Sequence, residues 1–213
     1  MMRVRTLVGV IGIVMVSLGI FAGCSAQKVT VSPDNLVTAA NLTLQVTPEF
    51  PYLGEARQQG FWEGTTCSVM QESHFFGQID NNRYDRGVIV TSLAFVDSSY
   101  RWSGGMFGET MKKQALDTGV SDQDKTYQYV VLASSLPLYE HDITFVKERQ
   151  YQFPRCMLVK ILGAQQSTDQ RRYIKYFEAL PTCQSWKPGK LTNDQQTRLA
   201  EFLQRSEEYL VFQ

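Results

Sequence analysis

Nine residues in the middle of the chain, Val88-Ile89-Val90-Thr91-Ser92-Leu93-Ala94-Phe95-Val96, constrain the fold more than any other stretch. Successive side chains of a strand point to opposite faces. Here both faces are largely apolar, so the stretch predicts a central strand with a covering layer on each side. A lone helix or a one-sided sheet leaves half of it in water.

Other segments supply neighbours for that strand. Leu42-Thr43-Leu44-Gln45-Val46 alternates strictly and predicts a half-buried strand. Residues 126–134 are β-rich, with Tyr127, Tyr129, Val131 and Ala133 on one face. In residues 142–151, Ile143 and Phe145 alternate against Thr144 and Val146, again as a strand. Residues 155–162 and 171–180 form two further runs, joined by the polar stretch 163–170 as a long-looped hairpin. A short strand is expected around Cys67, over 65–70. Residues 48–60 read as irregular, and 109–117 as a short helix stopped by Gly119.

The C-terminus carries the clearest helix. Pro188-Gly189 turns the chain, and Thr192 with Gln195 three residues on spells a capping box. Leu199, Phe202, Leu203, Ser206, Tyr209 and Leu210 share one stripe. Arg198, Glu201, Arg205 and Glu208 fall opposite it. The expected class is α+β: a predominantly antiparallel sheet with a C-terminal amphipathic helix and one or two short helices.

The N-terminus speaks to address. Arg3 and Arg5 form a basic start, and residues 7–21 are an apolar run with Ser17 its one clearly polar member. Ala22 and Gly23 stand just before Cys24. This is the layout of a secretory signal. Phe21-Ala22-Gly23-Cys24 resembles the lipobox of bacterial lipoproteins, although Phe21 is bulkier than the usual residue at its place. The resemblance covers about the first 25 residues. It implies a diacylglyceryl group on the Cys24 thiol, removal of residues 1–23, and acylation of the new amino group. Two or more acyl chains anchor stably where one holds marginally. Ser25 and Ala26 lack the aspartate that marks inner-membrane retention, so the resemblance favours an outer-membrane anchor facing the periplasm. An uncleaved span fits less well, since the run falls short of about 20 residues. The expected organisation is a signal over 1–23, a lipidated cysteine with a polar tether over 24–36, and one globular domain over 37–213.

Charge narrows the partners. The chain holds 21 basic and 21 acidic residues. Without Arg3 and Arg5 the balance turns slightly acidic. No basic excess is left for a phosphate backbone, so nucleic acid is not an expected partner. The chain after residue 23, roughly 190 residues, suffices for one sizeable core.

Four cysteines are present: Cys24, Cys67, Cys156 and Cys183. The last three allow one intrachain bridge with three possible pairings, in a compartment that permits it. Antiparallel pairing of the late hairpin sets Cys156 near residue 179, with Cys183 just beyond. This geometry favours Cys156–Cys183, worth about 3 kcal/mol in the chain-entropy relation. Cys67 then reads as a small buried hydrophobe or a reactive thiol.

Chemistry is sparse. Only His74 and His141 exist, and neither has a nearby histidine for a zinc motif. On a strand, Glu140 and Asp142 point away from His141. Cys67 with His74 lacks an orienting third group for a dyad. Trp102-Ser103-Gly104-Gly105 lacks the first glycine of a nucleophile elbow. Glu109 after Gly108 spoils a phosphate cradle, and residues 80–85 lack the closing glutamate of a calcium loop. No catalytic residue, metal ligand or cofactor is therefore expected. The expectation is a membrane-anchored envelope lipoprotein, non-enzymatic, binding an envelope protein as an accessory or assembly factor. The alternatives are a periplasmic hydrolase of glycan or peptide, and an inhibitor- or immunity-type ligand binder.

Overall fold

The computed structural model describes residues 29–39, 42–61, 67–97, 99–102, 113–121, 126–133, 140–183 and 186–213. In chain order the elements are β1 (Thr30–Val31), β2 (Leu36–Ala39), β3 (Leu42–Val46), β4 (Tyr52–Phe61), β5 (Ser68–Asp80) and β6 (Arg83–Phe95). There follow β7 (Ala115–Ser121), β8 (Thr126–Ala133), α1 (Glu140–Glu148), β9 (Met157–Gln165), β10 (Gln170–Ala179), α2 (Asn193–Tyr209) and β11 (Leu210–Phe212).

The strands form two sheets. Seven pair in the order β4-β5-β6-β10-β9-β8-β7, and four in the order β1-β2-β3-β11, with every neighbouring pair antiparallel. The architecture is mixed, mostly antiparallel sheet with two helices among the described residues. The doubly apolar stretch lies inside the large sheet as β6, between β5 and β10. Its Val88 and Val90 enter one cluster with Phe76, Leu158, Ile174 and Tyr176, which the small sheet and α2 cover through Val37, Leu44, Leu199 and Phe202. Its Ile89, Leu93 and Phe95 enter a second cluster with Phe75, Met157, Val159 and Phe177, which α1 covers through Phe145 and Val146. We call these the upper and lower faces.

Several local readings hold. The β9–β10 register sets Ala179 opposite Met157, and Leu180 N donates to Cys156 O at 2.7 Å. Cys156 and Cys183 form a disulfide with their Cα atoms 5.4 Å apart. Thr192 caps α2: its hydroxyl accepts from Gln195 N, while Gln195 Oε1 accepts from Thr192 N. Residues 80–85 contain a turn, with Asn81 and Asn82 both at positive φ (49° and 63°), the requirement of a tight hairpin whose twist matches its strands.

Other readings are corrected. Residues 142–151, taken as a strand, lie mostly in α1. Phe145 and Val146 are adjacent yet both buried, and with Asp142 they follow the i, i+3, i+4 spacing of one helix face. The β-branched content misled because packing on Phe75, whose ring stacks 3.9 Å from that of Phe145, outweighs intrinsic preference. Residues 48–60, taken as irregular, contain most of β4. This edge strand pairs on one flank only and carries polar side chains, so its alternation is weak. Of the helix expected over 109–117, residues 109–112 lie outside the described residues, Lys113 and Gln114 are helical, and 115–117 already begin β7, where Gly119 sits opposite Gln128 rather than ending a helix. The loop between β9 and β10 is four residues, not eight. Residues 29–36, read as tether, belong to the folded body: Val29 is buried in the upper cluster, β1 pairs with β2, and Asn35 Nδ2 donates to Phe50 O at 3.0 Å.

Candidate functional site

Period-two geometry places Glu72 and His74 on one face of β5. The β4–β5 register then sets Glu55 opposite His74 and Arg57 opposite Glu72. Four charged or titratable side chains thus meet on the upper face, beside Tyr52. His74 is 1% exposed. Its Nε2 lies 3.0 Å from Glu72 Oε1, and its Nδ1 lies 3.0 Å from the Tyr52 hydroxyl and 3.9 Å from Glu55 Oε2. Arg57 Nη2 donates to Glu72 Oε1 at 3.0 Å, while its Nε is 3.6 Å from Glu55 Oε1.

Electrostatics follow from this arrangement. Burial alone would raise the Glu72 carboxyl, but the hydrogen bond and charge of His74 and the charge of Arg57 outweigh it and hold the group below its ordinary value. The Tyr52 phenol is pushed up to about 12, by burial first and then by the negative charges of Glu55 and Glu72. The ring is 39% exposed, yet its hydroxyl is turned onto buried His74. An activated nucleophile needs the opposite shift.

Glu55, Glu72 and His74 bring one ligand atom each within 4.8 Å of one another, the one such grouping among the described residues. The fit to a metal is poor. The two carboxylates approach different ring nitrogens, whose lone pairs point to opposite sides of the imidazole. Arg57 already supplies positive charge to both carboxylates. The cluster is a closed ion-pair network.

Next to it the upper face opens. One shallow depression, with room for about one water, is lined by Met70 and Glu72 of β5, Ser92 and Leu93 of β6, and Gln166, Gln170, Arg171 and Arg172. A second, equally small, is lined by Leu42 and Phe212 of the small sheet and Leu162, Ala164 and Ile174 of the large one. Gln166 and Arg172 line both. Arg172 is 3% exposed, its Nε donates to Ser92 Oγ at 3.3 Å, and burial lowers its guanidinium to about 10. Gln166 Oε1 is buried with no hydrogen-bond partner among the described residues. Two small, mainly apolar depressions thus lie side by side, with Arg172 and Gln166 between them.

The residues singled out from the sequence are dispersed. Cys24 and residues 103–110 lie outside the described residues. Cys156 and Cys183 pack against the upper cluster, away from chemistry. Cys67 packs against the lower cluster, on the opposite face from His74, so the two do not form a dyad. His141 lies in α1 rather than on a strand, with its side chain outside the description. Its neighbour Asp142 is buried and bonded to Lys175 at 3.0 Å. Trp102 donates to Asp169 O and lies against Phe95 and Arg171, which is packing.

Sequence reasoning missed Tyr52, Glu55, Arg57, Glu72 and Arg172. The i, i+2 pairs Glu55/Arg57 and Glu72/His74 were visible, but which strand faces which was not. No helix among the described residues is long and apolar enough to cross a membrane. Comparison with known proteins returns no matching family model, no matching curated protein and no matching solved structure.

Proposed function

We propose that this chain is a cell-envelope lipoprotein, held by acyl chains on Cys24, whose folded body binds another envelope component rather than catalysing a reaction. The binding reading is supported by one observation: Glu55, Arg57, Glu72 and His74, the titratable cluster of the upper face, are engaged with one another rather than presented to a substrate. His74 is too buried to touch a substrate without moving Tyr52, and the Tyr52 hydroxyl is tuned away from nucleophilic attack. The surface beside the cluster carries apolar side chains, Leu42 and the half-exposed Phe212 among them, which suit contact with a partner.

Two observations support the address. A disulfide suits an oxidising compartment. Val29 enters the core only five residues after Cys24, so a lipid at that sulfur would hold the body within about 17 Å of the bilayer. The C-terminal helix is, on this reading, an amphipathic cover for the sheet.

The anchor is tested by mass spectrometry of the full chain expressed in a diderm bacterium. The expected mature species begins at Cys24 and carries acyl chains, and Cys24→Ala abolishes both features along with membrane fractionation. An intact N-terminus upstream of residue 24 without acylation refutes it. Binding is tested by photocrosslinking in living cells from p-benzoylphenylalanine placed at Leu42. A discrete adduct is expected, and its absence, with the protein folded and abundant, counts against a binding role.

A further inference from the structure

β4 closes one end of the large sheet. It pairs with β5 on one flank, and no described strand pairs with the other. Register tells which backbone groups face that flank. Val96 N donates to Ser68 O at 2.9 Å, so the even-numbered residues of β5 bond β6. Backbone groups of successive strand residues point to alternate flanks. The odd-numbered residues, Val69 to Phe75, therefore bond β4, through Gly60, Gln58, Ala56 and Gly54. Glu55, Arg57 and Gln59 are left with N–H and C=O turned outward. At the start of the strand the edge is shut: the register shifts between Tyr52 and Gly54, and Arg149 Nη1 donates to Leu53 O at 3.3 Å. From Glu55 onward no such block occurs among the described residues, and Glu55, Arg57, Gln58 and Gln59 are all exposed.

Charge commonly guards an edge like this against pairing. Here the guard carries both signs, two residues apart on one face. Glu55 and Arg57 keep 47% and 44% of their side chains exposed, and Glu55 lies 3.6 Å from Arg57 and 3.9 Å from His74, both long contacts. Such a pattern complements itself when reversed. We propose that β4 pairs antiparallel with β4 of a second copy of this chain, about a two-fold axis at Ala56, with Glu55 opposite the partner's Arg57 and Arg57 opposite the partner's Glu55.

Backbone geometry permits only registers in which outward-facing residues meet. An axis at Glu55 sets glutamate against glutamate, and one at Arg57 sets arginine against arginine; like charges directly opposite destabilise. An axis at Gln58 sets Glu55 opposite Phe61 and Arg57 opposite Gln59, which matches neither charge. Only the axis at Ala56 matches both. Ala56 is also small enough to face its own copy where the strands approach most closely. The axis is perpendicular to the sheet, so both small sheets lie on one side of the joined sheet, and two chains anchored ahead of Val29 would share one bilayer. The pairing itself does not depend on the anchor. The interface is small, and a weak, reversible dimer is the expected state.

The test is disulfide trapping of the purified full chain, oxidised by copper phenanthroline. Ala56 faces its copy as a non-hydrogen-bonded pair, with Cα atoms about 4.5 Å apart, inside the range a disulfide spans. Ala56→Cys should give a covalent dimer, with the parent chain measuring any contribution of Cys24 and Cys67. Gln58→Cys lies about 14 Å from its copy in this register and should stay at the parent level. Charge supplies the second arm. In the Ala56→Cys background, Glu55→Arg puts two cations on the edge and Arg57→Glu two anions. Each alone should dimerise about tenfold less, because both cross-strand pairs turn repulsive. Mixed, the two chains match at both positions and should recover the dimer, as a heterodimer resolved by a mass tag on one. Circular dichroism and the intact Cys156–Cys183 bridge check folding; if a charge variant does not fold, the contrast between positions 56 and 58 decides alone. No dimer above the parent level from Ala56→Cys, equal or greater linking from Gln58→Cys, or a mixture of folded variants no better than its components overturns the proposal. Trapping of a different protein at position 56 in cells, with no self-linked product, overturns it while leaving the wider binding reading standing.

Discussion

Lys175 Nζ lies 3.0 Å from Asp142 Oδ2, and both side chains are buried, between the centre of β10 and the first turn of α1. The pair pins the one described helix of the lower face to the middle of the large sheet. Removing one partner leaves an uncompensated charge in a dry interior, which costs about 3–5 kcal/mol. Asp142→Ala should lower the unfolding free energy by about that amount in a denaturant titration. The double variant Asp142→Leu/Lys175→Met should recover most of it, because replacing a buried ion pair by apolar side chains is about neutral. A double variant as unstable as Asp142→Ala shows that the pair supplies more than charge compensation.

Gly77 and Gly87 face each other across β5 and β6, and the Tyr84 ring lies over both. A Cβ on Gly87 would come within 2.3 Å of Phe76 O and 2.4 Å of Tyr84 Cε2. Backbone oxygen cannot step aside, and the Tyr84 hydroxyl is fixed on Phe76 O at 2.7 Å. Gly87→Ala should therefore destabilise by about 1–3 kcal/mol, the range for overpacking. At Gly60 a Cβ meets nothing within 4 Å, so Gly60→Ala should be tolerated. Thermal melts of the two variants side by side check the contrast.

The Cys156–Cys183 bridge spans 27 residues and staples the strand-end of the β9–β10 hairpin to the segment leading into α2. Chain entropy assigns it about 3 kcal/mol. Cys156→Ser and Cys183→Ser, singly and together, should each lose about that amount. Near-equal losses in all three variants identify the bridge as the cause. A single-serine variant as stable as the parent would contradict it.

The two ends of the pH scale report on the His74 cluster. Glu72 titrates lower in the folded chain than its ordinary 4.5. Its stabilisation is present above that value and is lost as pH falls through the folded one. Glu72→Gln should flatten the acid limb of the stability profile. Tyr52 runs the other way. Its folded value of about 12 lies above the ordinary 10, so its contribution is complete below pH 10 and disappears as pH rises through 12. Tyr52→Phe should lessen the alkaline fall, and phenolate absorbance should show one tyrosine fewer ionising late. Parent and variant limbs that coincide would dissociate these groups from the cluster.

Legibility in the sequence followed distance along the chain. The capping box of Thr192 and Gln195 spans four residues, and the Cys156–Cys183 pairing needed only a hairpin register over a single turn. Both were readable. The central position of β6 was readable too, because an element apolar on both sides has few places to go. Residues 142–151 were misread because the same apolar residues satisfy a strand by alternation and a helix by i, i+3, i+4 spacing. Contact with Phe75 and Lys175, each far away in sequence, decided between them.

The chain by itself thus determined its class, its central strand, its terminal helix and its crosslink, since each is written in neighbouring residues or in an apolar pattern that admits one solution. Only the tertiary structure decided the site. His74 meets Glu55 across strands 19 residues apart, and Arg172 comes to face Leu42 and Phe212 because a second sheet closes over the first. Strand register and sheet stacking emerge from burying the whole core at once, and no local stretch encodes them.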